Sequence, residues 1–376
     1  MAPTLNVGLI GLGYIGKVHA TAYRNIPLCF SRPAALARLS AVLRSRLDTE
    51  ATFMDEAAIE VRTTDPEAFY AQPLDLVDIC TPNALHHDQA LAALERELPV
   101  YCEKPLALNL EQARTMAEAA QQAGVLTHVA FVLRYLPAIR QAKVLLENGA
   151  IGEVLNFRGH MFHSGYLDPQ RPMSWRLRSA ESGGGVFADL GAHLLDLTRY
   201  LLGDIRRVRA ETRTHIQERP SPHGGIEQVD VDDWAFCEIE LATGAIGHIE
   251  VTRMAAGASE ETAFEIYGRK GSILFHIRQP YSVRHFNLKS GRWSEGPLSN
   301  ADPEGERPLT AIWPSPKMSQ GLMSDLHLAS AYDFLQCILE GKPSSLDFQA
   351  GLAVQEVLEA GYRSAAARGV PIELPL

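Results

Sequence analysis

Along the first third of the chain, short apolar runs alternate with longer stretches whose apolar residues recur every three or four positions. LNVGLI near the start, LARLSAVL (36–43), LDLVDICTPN (74–83) and LPVYCEKPLAL (98–108) read as strands. HHDQALAALEREL (86–98) and LEQARTMAEAAQQAG (110–124) have helical spacing, the second closed by Gly124. Strands alternating with helices predict a parallel, doubly wound sheet, in which ligands gather at the carboxyl ends of the strands. Here those ends are the loops holding Arg44, Thr81 to Asn83, and Glu103 to Pro105.

The pattern changes after VLTHVAFVLRYLP (125–137). Segments 151–165, 205–219, 231–255, 262–277 and 281–288 alternate in the manner of strands, joined by turns such as ATGA and RKG, and predict a largely antiparallel sheet in an α+β domain. Segment 289–325 is polar and proline-bearing and reads as a long loop; helix returns over 326–341 and 348–368. The expected division is a dinucleotide-binding domain over 1–131 and a second domain over 132–376, whose last helices can pack back on the first. A large open sheet is expected to present apolar side chains and so to build a homodimer or homotetramer by sheet-to-sheet packing of residues 151–288.

Composition changes this picture only by exclusion. The 376 residues exceed what one core usually supports, which fits two domains, and the net charge of −10 disfavours nucleic acid or an anionic membrane as a general partner. No apolar run reaches about 18 residues, and MAPTLNVGLI lacks a basic region followed by a long apolar one, so a cytoplasmic protein is expected. Cys29, Cys80, Cys102, Cys237 and Cys337 are scattered with no CxxC pair and read as reduced structural thiols.

Two constellations carry chemistry. In GLIGLGYIGKVHA, Gly11, Gly13 and Gly16 form GxGxxG between a strand and a helix, the setting in which backbone amides and a helix N-terminus hold a pyrophosphate, with Tyr14 and Ile15 inside the turn. The second is GGGVFADLGAHLLDL (183–197), where Asp189 and His193 stand four residues apart and so share one helix face. Asp189 as a helix cap and His193 as a core histidine would explain the pair structurally. Zinc ligation would need a third and fourth ligand that no compact set supplies, and no metal is expected. Lys104, following a buried strand and preceding Pro105, would lie near a dinucleotide, where a lysine can move a proton during hydride transfer.

GLIGLGYIGKVHA, DICTPNALHHDQALAALE, VYCEKPLAL and SGGGVFADLGAHLLDLTRYLLG together resemble the glucose–fructose oxidoreductase / inositol dehydrogenase (Gfo/Idh/MocA) family, and the resemblance runs nearly end to end. It implies an NAD(P)-dependent oxidoreductase acting on a secondary alcohol or ketone of a sugar, anhydrosugar or cyclitol, with Lys104, Asp189 and His193 as the catalytic group. It also implies that Thr81, Pro82, Asn83 and His86 border the cofactor and that Trp175 and Arg176 contact its nicotinamide end. Glu103 belongs to the same cofactor edge. Arg134, Tyr135, His163 and Tyr166, with Lys104, Asp189 and His193, are the expected substrate contacts. PLCFSRPAAL (27–36) resembles an insert of subgroups acting on anhydrosugars. An NAD-dependent glycosidase and a non-catalytic sensor share the fold and are the competing readings. At the end of the second strand, Arg44, Ser45 and Arg46 stand where NAD-selective domains usually carry an acidic residue, so NADP is expected over NAD; Asp48 is the alternative partner for the ribose.

Overall fold

The computed structural model describes residues 2–47, 51–296 and 301–376, and the chain divides into two compact units. The first comprises 1–107, 111–135 and 307–352; the second comprises 108–110, 136–306 and 353–376.

The first unit is built on six strands: β1 (Thr4–Ile10), β2 (Leu36–Leu43), β3 (Val61–Thr63), β4 (Leu76–Ile79), β5 (Val100–Cys102) and β6 (Thr127–Val129). All pairs are parallel, in the order β3-β2-β1-β4-β5-β6, the doubly wound arrangement expected. Such a sheet is covered on both faces, and β4 and β5 are buried at every position. Most of those side chains are apolar. Asp78, in the middle of β4, is the exception.

The first helix differs from expectation. Instead of ending before an insert at 27–36, it runs Tyr14–Cys29 with Pro27 inside its last turn. Proline forfeits one helical hydrogen bond there, and packing offsets it: Ala22 and Cys29 form a buried cluster with Leu328, flanked by Phe30 and Met318. Leu328 belongs to the helix Leu322–Glu340, which is buried along most of its length.

The second unit carries β7 (Val154–Phe162), β8 (Ile205–Arg213), β9 (Glu218–Pro220), β10 (Ile226–Gln228), β11 (Trp234–Leu241), β12 (Ile246–Thr252), β13 (Glu261–Gly268), β14 (Gly271–His276), β15 (Val283–Asn287), β16 (Arg292–Gly296) and β17 (Ile372–Glu373). Nine of these form one sheet ordered β16-β15-β14-β13-β7-β12-β11-β8-β17, antiparallel except for the β12–β7 pair. Three local readings are corrected. The strand expected over 205–219 breaks after Arg213, because the Asp233 carboxylate takes the backbone N–H groups of His215 and Ile216 at 2.8 and 3.1 Å; the chain then pairs β9 with β10 in a separate hairpin. The loop expected over 289–325 contains β16, paired with β15, and a helical turn at Leu309–Ile312.

The third correction concerns the sheet's faces. Phe157, Ile249, Val251, Phe264 and Ile266 are buried on one face. The other face is mixed rather than apolar: Arg158, His160, Phe162, His248, Glu250 and Glu265 line a shallow cavity of about 290 Å³. All five cysteines are buried and unbridged, and no helix among the described residues is long and apolar enough to cross a membrane.

Candidate active site

The turn after β1 meets the steric demands of a pyrophosphate site. Gly11 has φ +90°, and a Cβ on it would come within 2.9 Å of the Cys80 carbonyl. A Cβ on Gly16 would lie 2.2 Å from the Gly11 carbonyl oxygen, so the helix can close on the turn only without one. Gly13 caps the helix with no side-chain hydrogen bond, faces open space, and is followed by a first turn free of acidic residues. The positive end of a sixteen-residue helix is therefore left to an external anion. These residues fit a dinucleotide phosphate, which Gly11 and Gly13 would approach through their backbone. Tyr14 is 70% exposed beside them and Ile15 half-buried.

Around this turn lie the carboxyl ends of β2, β4 and β5. Arg44 is half-buried, its backbone N–H on the Thr63 carbonyl at 3.1 Å and its guanidinium 4.0 Å from the Met54 sulfur; Ser45 and Arg46 are exposed. Asp48 lies outside the described residues. Thr81 and Pro82 are half-buried, Asn83 is buried, and Thr81 Oγ1 donates to Gln89. His86, expected at the cofactor, is instead fully buried. Its ring lies between the carbonyls of Thr81 and Pro105 at 3.0 and 3.1 Å, tying the TPN loop to the EKP loop from below.

Glu103 is likewise turned inward rather than toward the cofactor edge. It accepts from His19 Nε2 at 3.0 Å, while His19 Nδ1 donates to Asp78 Oδ2 at 2.9 Å. The Tyr23 hydroxyl and the Cys80 thiol also donate to Asp78, at 3.0 and 3.3 Å. Burial opposes ionisation of Glu103, yet the hydrogen bond and charge of His19 bring its pKa down to about 2. Burial equally opposes a charge on His19, and the Asp78 carboxylate outweighs it, holding His19 well above the usual histidine value. The second Glu103 oxygen accepts the backbone N–H of Lys104 at 3.2 Å, and Lys104 itself is half-buried.

In the second unit, one π turn over Phe187–Gly191 leads into the helix Ala192–Leu202. Four residues stay close to one full turn in either geometry, so Asp189 and His193 remain on one side of the helix, both half-buried. Asp189 does not act as an N-cap: its Oδ2 accepts from Arg253 Nη2 at 2.6 Å. Arg253 follows β12. Burial works against its charge, but Asp189 and Tyr166 hold its pKa above the ordinary value. The Tyr166 ring has three guanidinium groups about it, those of Arg253, Arg171 and Arg219, at 5.2 to 5.5 Å from its centroid. Tyr166 is only 5% exposed and belongs to a core cluster with Met173, Leu177, Val229 and Val231, so most of its expected substrate surface is committed to packing. His163 is half-buried, its backbone anchored to Thr252 and Ala255. The Arg176 guanidinium stacks 4.3 Å from the Trp175 ring, with Arg176 exposed and Trp175 half-buried.

Tyr135, in the first unit, is 2% exposed and donates to Asp333 at 2.8 Å; this burial removes it from the expected substrate contacts. Arg134 beside it is half-buried and reaches the Ser345 carbonyl at 3.4 Å. Sequence reasoning missed His19, Asp78 and Arg253. The signal for the first two was a carboxylate inside the apolar run LVDIC and a histidine three residues past the last glycine of the turn. Arg253 had no signal beyond its place at a strand end.

Comparison with known proteins sets this geometry in a family. Residues 5–131 match the oxidoreductase family with an NAD-binding Rossmann fold, and residues 139–274 match the GFO/IDH/MocA C-terminal domain. The chain belongs to the GFO/IDH/MocA family and is a nicotinamide-dependent oxidoreductase, as its motifs implied. It is 35% identical over 383 residues to levoglucosan dehydrogenase of Pseudarthrobacter phenanthrenivorans, covering 96% of each chain. It is 33% identical over 228 residues to 1,5-anhydro-D-fructose reductase of Ensifer adhaerens, covering 60% of this chain and 64% of that one. Levoglucosan dehydrogenase in complex with NADH and levoglucosan superposes with a TM-score of 0.90 at 34% identity, covering 99% of each chain.

Proposed function

We propose that the chain oxidises a secondary hydroxyl of a compact carbohydrate, an anhydrosugar in the first instance, with hydride transfer to a nicotinamide dinucleotide. The observation that carries this reading is the likeness to levoglucosan dehydrogenase across 96% of both chains. The bound cofactor supplies the hydride acceptor. The chain's own residues hold it and move the proton: Gly11, Gly13 and Gly16 take the pyrophosphate, and His193 takes the hydroxyl proton as the hydride leaves. Lys104 is the second acid–base group of the proposed reaction, and Asp189, fixed by Arg253, orients the hydroxyl. His163, Arg134 and the exposed edge of Tyr166 remain proposed substrate contacts, and Trp175 with Arg176 the proposed nicotinamide contacts.

Arg44 and Arg46 replace a carboxylate at the end of β2, which favours NADP, whereas the levoglucosan dehydrogenase complexes contain NADH. The open sheet face, with its aromatic, histidine and carboxylate side chains, is proposed to meet a second copy in a homodimer or homotetramer, which light scattering at micromolar concentration tests.

The deciding experiment incubates the protein with levoglucosan, other anhydrosugars, free sugars and cyclitols against NAD and NADP, following the absorbance of reduced nicotinamide. Lys104→Met and His193→Ala are expected to lose about two orders of magnitude in turnover with cofactor affinity within a few-fold. No reduction with any substrate, or wild-type turnover in both variants, overturns the reading. Substrate cleavage without net reduction of added cofactor would favour the glycosidase instead.

A further inference from the structure

The charged cluster beneath the EKP loop is idle in the chemistry assigned above, and it is an expensive thing to bury. His19, Asp78 and Glu103 are 1%, 0% and 7% exposed, and removing three charged groups from water costs several kcal/mol each before their attraction repays it. Well-packed apolar residues would stabilise such a position as well or better, so stability alone is a poor reason for the cluster. What it does supply is fixed geometry. Each imidazole nitrogen is taken by a different carboxylate, and Asp78 is held in turn by Tyr23 and Cys80. The His327 ring lies 4.9 Å from the His19 ring and the Tyr101 ring 5.2 Å from it on another side, closing the cluster against water.

The last link points at Lys104. Glu103 uses one oxygen for His19 and the other for the backbone N–H of Lys104, so the lysine leaves the strand from a peptide whose orientation the cluster sets. With His19 cationic, the two carboxylates leave one net negative charge immediately behind the lysine.

We propose that His19, bridging Asp78 and Glu103, is a positioning residue for Lys104: it fixes the direction in which the lysine leaves β5 and holds a net negative charge behind it. Asp78 anchors the imidazole from the far side and never touches the lysine. The inference rests on the catalytic reading of Lys104 only for its effect on turnover.

The test uses Glu103→Gln, which keeps shape but removes a charge, and Asp78→Asn, which perturbs the cluster from the end remote from Lys104. The chain has seven lysines, few enough for each to be followed by NMR after reductive ¹³C-methylation, with Lys104→Met identifying the Lys104 signal. In Glu103→Gln the Lys104 methyl signal is expected to move from its parental chemical shift while the other lysine signals stay in place, since the peptide that sets the lysine's direction loses its anchor. Turnover is expected to fall at least tenfold with dinucleotide affinity, measured by fluorescence, within threefold. Asp78→Asn is expected to move both readouts in the same direction by a smaller amount.

An unmoved Lys104 signal in either folded variant overturns the proposal, as does parental turnover in both. Should Glu103→Gln fail to fold, Asp78→Asn carries the decision alone. If Lys104→Met keeps full turnover, the catalytic assignment falls while the movement of the Lys104 signal still tests the coupling. His19, Glu103 and His327, and likewise His19, Asp78 and Cys80, also bring ligand atoms within 4.8 Å of one another. A stoichiometric transition metal in the purified protein, removed by chelator with loss of turnover, would therefore overturn the imidazolium bridge in favour of a metal site.

Discussion

Removing the Asp232 carboxylate should unfasten the start of the helix that carries Asp189 and His193. Asp232 is buried, and its oxygens accept the backbone N–H of Gly185 at 3.0 Å, the N–H of Phe187 at 2.8 Å and the Tyr362 hydroxyl at 2.8 Å. In Asp232→Ala all three donors lose that acceptor. A buried donor left unpaired costs about 1–3 kcal/mol. The Tyr362 oxygen still accepts from Gly185 at 3.0 Å, which covers one of the three. Two full losses remain, roughly 2–6 kcal/mol. In Asp232→Asn the amide oxygen can stay on Phe187, so the Tyr362 hydroxyl is the donor left unpaired and the cost drops to about 1–3 kcal/mol. Urea unfolding followed by near-ultraviolet circular dichroism checks this. With a slope of roughly 2–3 kcal/mol per molar, the alanine variant should lose about 1–3 M in midpoint and the asparagine variant about half as much. An alanine variant within about 0.3 M of the parent, or an asparagine variant as damaged as the alanine one, would refute the account. The neighbouring glycine offers no relief, because a Cβ on Gly185 would stand 1.9 Å from the Asp232 carbonyl oxygen.

Other outcomes follow from the same geometry. Arg253→Met removes the guanidinium that holds Asp189 Oδ2 and is expected to lower turnover about tenfold or more with little change in cofactor affinity; an unchanged kcat would show that Asp189 needs no such restraint. Burial holds His128 and His327 neutral, with pKa values lowered to about 3, below the unfolded value near 6.5. The unfolded chain therefore binds more protons between those limits, so this part of the stability is complete above about pH 6.5 and is lost as pH falls toward 3, by up to about 1.4 kcal/mol per pH unit per histidine. Melting temperatures between pH 7 and 4 should fall less steeply in His128→Asn, and parallel slopes would contradict the assignment. Arg44→Ala should weaken NADP by roughly 1.5–3 kcal/mol and leave NAD nearly unaffected; equal losses, or a parent that prefers NAD, would show the loop was misread.

The architecture was legible because periodicity and sterics both spoke for it. The alternation of apolar runs with helical spacing leaves few arrangements besides a doubly wound sheet, and the glycines at 11, 13 and 16 meet steric limits that the structure shows directly. What escaped was set by contacts distant in sequence. Pro27 promised a helix end, but Leu328, some three hundred residues away, supplies the packing that keeps the helix going to Cys29. The strand over 205–219 reads as continuous until the Asp233 carboxylate, eighteen residues beyond His215, captures its backbone. The open sheet face alternates as a strand should. Alternation reports which residues share a face, and not whether that face is greasy or charged.

The candidate site divides the same way, between residues that carry a motif and residues that complete one. Lys104, Asp189 and His193 stood out through their neighbours in sequence, whereas Glu103 was placed at the cofactor edge because it adjoins Lys104, and His86 and Tyr135 because their stretches resemble those of the family. Adjacency along a chain says little about direction: at the end of β5, Glu103 turns down to His19, and the next residue begins a loop. A better guide was present in LVDIC. A carboxylate at the centre of a strand buried at every position cannot remain without a partner, so Asp78 by itself demands a cation or several donors elsewhere in the fold. His19, His86 and His128 all belong to segments that pack on or within this sheet, and sequence alone gives no reason to choose among them. The choice is made by the helix phase that Gly16 permits: the close approach of the helix to the turn brings its inner face, with His19 and Tyr23 one turn apart, down onto β4. The glycine that reads as a mark of nucleotide binding is thus also what lets the histidine reach Asp78, and through Glu103 the lysine.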